Sequence, residues 1–168
     1  GSVTIVSGMT TFVLVFYAQQ SFARYLRLHN KMKRMIRHVY DSVHYLRVFL
    51  GDRARGYSRC CSRYVITSIV LTLQDMRGQG SDADLHKLGR LGFLSEMEMT
   101  TIQQIDVKNR SKVILTWASG MIRLGCQESK TPNQILRVCC DNVLKIQTEQ
   151  REIVETFRLP VPFQYFHL

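Results

Sequence analysis

The first 23 residues carry no Lys, Arg, Asp, Glu or His, and the next forty carry eleven Lys and Arg against only Asp41 and Asp52. This abrupt change constrains the fold more than any other feature of the chain. About 20 consecutive uncharged residues are enough for a helix to cross ~30 Å of hydrocarbon, and Val3 to Ala23 has that length. Its apolar members include Val3, Ile5, Val6, Met9, Phe12, Val13, Leu14, Val15, Phe16, Tyr17 and Phe22. They are interrupted by Thr4, Ser7, Thr10, Thr11, Gln19, Gln20 and Ser21. Hydrocarbon offers such side chains no partner, so a spanning helix of this kind turns its polar face to other helices or to water in a pore. The cations that follow, Arg24, Arg27, Lys31, Lys33, Arg34 and Arg37, are then expected at the membrane surface on the positively biased side. The competing reading is a buried helix of a soluble bundle. A secretory signal peptide fits less well, because its positive charge precedes the apolar run.

Charge elsewhere is balanced. The whole chain has a formal net charge of +10, and residues 24–63 alone account for +9. Cations in that segment alternate with Tyr25, Tyr40, Tyr45 and Tyr57, which meets a crude electrostatic test for nucleic-acid binding. No groove-reading motif accompanies them, so attraction to a membrane surface or to anions is the preferred reading and nucleic acid the weaker one. With 45% hydrophobic residues in 168, the chain has material for one domain with a core.

Beyond Arg24 the apolar spacing is helical throughout, and the expected fold class is all-α. Leu28, Met32, Met35, Ile36, Val39, Val43, Leu46 and Leu50 recur three or four apart up to Gly51. One uninterrupted helix from the charge-free start to that glycine would be a rod of about 75 Å, running from a membrane part into an extramembrane part. A second helix is expected over residues 57–77, ended by Gly78-Gln79-Gly80. Ser81 with Asp84 and Ser95 with Glu98 have capping-box spacing and announce two short helices around Gly92-Phe93-Leu94. A further helix is expected over 111–124, with Gly125 as its stop. Thr131 as N-cap, Pro132 in the first turn and Gln134 start a last helix to Phe157, with Ile135, Cys139, Val143, Ile146, Ile153 and Phe157 inward. Leu159-Pro160-Val161-Pro162 breaks it, and the uncharged tail 163–168 looks like the first turn of another membrane helix.

Enzyme chemistry has no sequence support. The cysteines, Cys60-Cys61, Cys126 and Cys139-Cys140, form no C-x-x-C pair and are odd in number, so they read as buried free thiols. The histidines show no metal-binding spacing, and no phosphate-cradling glycine loop occurs. Glu96 and Glu98, and Glu149, Glu152 and Glu155, read as solvated helix faces. No cofactor is implied.

The order of these features matches a known family. The run from Phe12 to Tyr25, with Gln19-Gln20-Ser21-Phe22 before Arg24, resembles the second transmembrane helix of bestrophins, whose pattern is close to L-x-F-R-T-N-x-S-Y-x-R-W. Leu159-Pro160-Val161-Pro162-Phe163-Gln164-Tyr165 is similar to the T-P-I-P-x-x-Y motif of bacterial and plant-type bestrophins. The turn Gly92-Phe93-Leu94-Ser95-Glu96 and the Thr131-Pro132 helix start also have counterparts, in the same order along nearly the whole chain.

The resemblance implies a homopentameric chloride or bicarbonate channel in which this helix lines the pore. Its neck residues fall on Gly8, Phe12 and Phe16, whose i, i+4, i+8 spacing shares one helix face. Arg24, Arg27 and Lys31 would form a basic pore mouth, and a lower aperture would fall near Asn133 to Ile135. Residues 1–23 would be the pore helix, 24–158 the extramembrane region of the same single domain, and 159–168 the start of a further membrane helix, all within a larger membrane protein. The bacterial and plant-type motif implies an organellar membrane, thylakoid or mitochondrial. The sequence departs from the pattern at Tyr17 and His29, where the family has Arg, at Arg27, where it has an acid, and at Glu155, which is out of register. It lacks the acidic cluster of the animal family's calcium clasp. These departures leave two alternatives: a non-conducting structural subunit of a larger membrane complex, and a soluble basic helical protein that binds nucleic acid or acts as an adaptor.

Overall fold

A computed structural model describes the backbone of residues 2–159 and the side chains of 6–159. Six helices follow one another: α1 (Ser2–Leu50), α2 (Arg55–Met76), α3 (Asp82–Arg90), α4 (Glu96–Gln103), α5 (Val107–Glu128) and α6 (Asn133–Arg158). The described residues contain no strand, as the helical spacing predicts. The proline-rich break from Pro160 and the tail to Leu168 lie outside the described residues.

α1 runs unbroken for 49 residues and ends at Gly51, whose φ of +59° suits glycine because it has no Cβ to clash. Its second half packs antiparallel to α6, while α2 pairs with α5. The core lies between these four helices and includes Met35, Leu46 and Leu50 from α1, Cys61 and Val65 from α2, Ile114, Ala118 and Ile122 from α5, and Val143, Ile146 and Ile153 from α6. Each large aliphatic side chain removed from water in this way contributes roughly 1.5–3 kcal/mol. Ile36, by contrast, is exposed.

α2 is the central element and carries a buried polar stripe. Thr67, Ser68 and Thr72 return their hydroxyls to carbonyls three or four residues back, so their burial leaves no donor unmet. Ser68 Oγ also accepts from the buried Gln150 Nε2 at 3.0 Å, joining α2 to α6. Both expected capping boxes form, Ser81 with Asp84 and Ser95 with Glu98. Buried Arg110 holds the loop ends together by donating to the carbonyls of Gly80, at 2.7 Å, and Ile105, at 3.0 Å.

Three expectations are corrected. Gly125 does not stop α5; it is interior, and α1 and α2 approach so closely there that an added Cβ would stand 3.0 Å from Tyr57 Cβ. The helix ends three residues later at Glu128, just before Lys130 takes φ +54° and Thr131 N–H reaches the Cys126 carbonyl. Thr131 does not cap α6, because its hydroxyl lies 2.5 Å from Ser129 Oγ and reaches the Phe49 carbonyl at 3.5 Å; Pro132 is the N-cap. Phe157 is exposed, and Thr156 takes the inward position instead.

Candidate pore-lining helix and its basic collar

Nearly the first half of α1 projects beyond the bundle. α6 ends beside Arg24, so about 22 residues of α1 extend past it, a length of roughly 30 Å. Val6, Met9, Phe12, Leu14, Val15 and Phe22 are all exposed there, on every side of the helix. A monomer rarely leaves so many apolar side chains in water, so this segment is a surface to be covered.

Phe12 and Phe16 lie one above the other on one face, with ring centroids 6.5 Å apart and planes 18° from parallel. Phe12 is 72% exposed and Phe16 40%. Gly8, one turn earlier, opens onto empty space: a Cβ there would meet nothing within 4 Å. Thr10 and Thr11 return their hydroxyls to the carbonyls of Val6 and Ser7 at 2.8 and 2.9 Å. That internal bonding lowers the cost of placing them in apolar surroundings. Even so, among the described residues no helix is long and apolar enough to cross a membrane. The scattered Ser, Thr, Gln and Gly residues dilute the apolar stretch that its length alone suggested.

The expected pore-mouth cations meet different fates. Arg24 donates to the Phe157 carbonyl at the last turn of α6, where a cation satisfies an orphan acceptor and the negative helix end. Lys31 is drawn into the α1/α6 seam, with its Nζ 2.8 Å from Glu152 Oε2. One turn on, Arg34 forks onto Glu149, with Nε at 2.9 Å from Oε1 and Nη2 at 3.3 Å from Oε2. Of the three expected collar residues, Arg27 alone stays exposed with no partner among the described residues. Glu149 and Glu152 are therefore not a solvated face, and the hydrogen bond and charge of Lys31 hold the Glu152 carboxyl below its usual range.

Asn133 and Ile135 sit at the other end of the bundle, about 40 Å along α1 from Arg24. Asn133 is the exposed first residue of α6, and Ile135 is half-buried against the core. The neck and aperture positions thus occupy opposite ends and do not form one cluster.

The strongest electrostatic site was not anticipated. Arg63 donates through two nitrogens to Glu98, each at 2.8 Å, and through one of them to the Phe93 carbonyl at 3.1 Å. The Tyr64 hydroxyl donates to the same carboxylate, and Ser95 N–H adds a bond of 2.7 Å. Burial alone would raise the Glu98 pKa, but these donors outweigh it and bring the carboxyl down to about 2. Burial, followed by the bond to Glu98, pushes Tyr64 up to about 12. The only sequence trace of this cluster was the capping box. Nothing local pointed to Arg63, which lies 35 positions from Glu98. Among the described residues no group of His, Cys, Asp or Glu is placed to hold a metal ion.

A family model described as Bestrophin, RFP-TM, chloride channel matches residues 4–168. The chain belongs to the bestrophin family. No curated protein and no solved structure matches it. Bestrophins are a membrane-associated family of chloride channels rather than enzymes, and the Phe12-to-Tyr25 resemblance falls within the matched region. The exposed apolar stretch of α1, nearly half of the helix, is then a segment that a membrane can cover.

Proposed function

We propose that this bestrophin is an anion-channel subunit in which residues 6–23 of α1 line the path for chloride or bicarbonate, with five copies around the axis. The stacked, exposed Phe12 and Phe16 carry this reading, because they lie on one face of a helix that no other part of the described chain covers. A ring of such side chains narrows a pore and turns the positive edges of aromatic rings toward an anion. The half-free collar, with Arg27 exposed and Arg24 at the α6 terminus, raises the local anion concentration. The polar residues of the segment face water or neighbouring subunits, which accounts for a helix of modest apolarity. The test is chloride flux into vesicles carrying the full-length protein. Phe12→Ala and Phe16→Ala are expected to change the rate severalfold, and flux unaffected by both removes the assignment.

A second reading, a non-conducting structural subunit of a larger organellar membrane complex, is favoured by the open position at Gly8 and by the modest apolarity of α1. Copy number separates the two. Five identical chains support the channel, and one chain among unrelated subunits supports the structural role.

A further inference from the structure

At the end of the bundle remote from the projecting helix, the α1–α2 turn surrounds a cavity of about 570 Å³ lined by Arg47, Gly51, Asp52, Arg55, Ser58 and Arg59. Three arginines line it against one aspartate, and Arg53 stands in the same turn. Among the described residues none of the four arginines makes an ion pair or a side-chain hydrogen bond. Like charges crowded in this way repel one another unless an anion lies between them.

The local backbone adds to the imbalance. α2 begins here without a side-chain cap, since its N-cap is Ala54, and without an acidic residue in its first turn. A helix start carries partial positive charge and unbonded N–H groups, so acidic residues are favoured there and basic ones are not. This start instead bears Arg55 and Arg59. On its side, Gly56 opens onto space, with nothing within 4 Å of where a Cβ would stand.

Ser58 supplies an independent observation. It is only 7% exposed, it lines the cavity, and its hydroxyl has no partner. Elsewhere in α2, Ser62, Thr67, Ser68 and Thr72 all return their hydroxyls to backbone carbonyls of the preceding turn. Ser58 alone among these does not. Its hydroxyl is instead open to the cavity, where a ligand acceptor can take the bond that a carbonyl takes in its neighbours.

We propose that this turn is a binding site for a soluble, phosphate-bearing anion. Apart from the Asp52 carboxylate, the lining side chains that bear on an anion are donors: three arginines and a hydroxyl. Guanidinium forks match phosphoryl oxygens two at a time, which a halide cannot exploit. The helix start follows the general physics of phosphate sites. The site lies about 40 Å along α1 from Arg24, which separates it from the apolar segment and favours a ligand in solution over a lipid headgroup. It is independent of the pore reading.

The test is calorimetric titration of the full-length protein in detergent with inorganic pyrophosphate, at constant ionic strength in sodium chloride. Saturable binding of one pyrophosphate per chain is expected. Arg55→Ala combined with Arg59→Ala should weaken it at least about tenfold, and Ser58→Ala about three- to fivefold. Arg90→Ala, an exposed cation on α3, should leave it unchanged, and circular dichroism should show all variants folded. Binding that fails to saturate, that falls equally in Arg90→Ala, that survives Ser58→Ala and the arginine pair, or that chloride displaces equally well overturns the proposal. Retention on phosphatidylinositol-phosphate micelles without pyrophosphate binding overturns the soluble source.

Discussion

Lys31 and Glu152, 121 positions apart, meet at 2.8 Å across the seam between α1 and α6. Together with Arg34–Glu149 and the Arg24 contact to the end of α6, this pair ties the root of the projecting helix to the bundle. Arg24, Lys31 and Arg34 fall on one side of α1, opposite Phe157, Glu152 and Glu149. Any tilt of the projecting segment must therefore be resisted along this line. Exposed ion pairs contribute little singly, so the network matters more than any one member.

Charge reversal tests that seam. Lys31→Glu is expected to lower the melting temperature by a few degrees, because it sets like charges together, and adding Glu152→Lys should recover most of the loss. The recovery should shrink in high salt, which screens the half-exposed partner. A double variant no more stable than Lys31→Glu would show that the pair does not couple the helices.

The Glu98 cluster predicts an acid limit. Its carboxyl titrates at about 2 when folded, against an ordinary 4.5. Between those values the unfolded chain binds the proton and the folded chain does not, so stability rises with pH across the window. The contribution is complete above about pH 5 and is lost as pH falls from 4.5 toward 2. Tyr64 sets the alkaline counterpart: it ionises near 10 unfolded and about 12 folded, so stability falls over that interval. Glu98→Ala leaves Arg63 without its fork partner and is expected to cost on the order of 3 kcal/mol at neutral pH. Denaturant melts of wild type and variant from pH 2.5 to 7 should converge at the acid end.

Two glycines in the same helix predict opposite outcomes. Gly125→Ala forces a methyl against Tyr57 Cβ and the Leu50 side chain, and should destabilise by about 1–3 kcal/mol despite the better helix propensity of Ala. Gly120→Ala meets nothing within 4 Å and should stabilise by up to about 1 kcal/mol. Equilibrium unfolding of both variants checks the pair, and equal effects would contradict the packing at 125.

That contrast also shows what was legible in the chain before its structure. Features set by neighbours in sequence were readable: the two capping boxes, the helical period up to Leu50 and the all-α class. A glycine is locally ambiguous, because Gly125 can equally end a helix or admit a close neighbour; only the distant Leu50 and Tyr57 decide. The same limit hid the pairing of Glu149 and Glu152 with α1 and of Glu98 with Arg63. It also concealed that the cysteines of α2, α5 and α6 lie near one another. Of the candidate site, the shared face of Phe12 and Phe16 was readable because it depends on helix geometry alone. The diversion of Lys31 and Arg24 into the seam was not.

Those thiols give a chemical prediction. Burial, then the neighbouring cysteines, push Cys139 up to about 11 and Cys61 further still. The thiolate is the reactive form, so at pH 8 iodoacetamide should leave both unlabelled in the native protein and modify all five cysteines in urea. The half-buried Cys60 and Cys140 should react first. Mass spectrometry of the peptides reads the order directly, and rapid native labelling of Cys61 would contradict the packing of α2.

Gly8 offers the sharpest separation of stability from conduction. A side chain there meets nothing in the chain, so Gly8→Leu should fold at least as well as wild type, gaining up to about 1 kcal/mol of helix propensity. On the proposed pore face, however, it stands one turn before Phe12 and adds a third apolar ring in line with Phe12 and Phe16. Narrowing a hydrophobic constriction favours dewetting, so anion flux through reconstituted protein should fall severalfold. Gly8→Ser, small and polar, should leave flux near wild type. Unchanged flux in Gly8→Leu, with an unchanged melting temperature, would place this face away from the ion path and shift the weight to the structural-subunit reading.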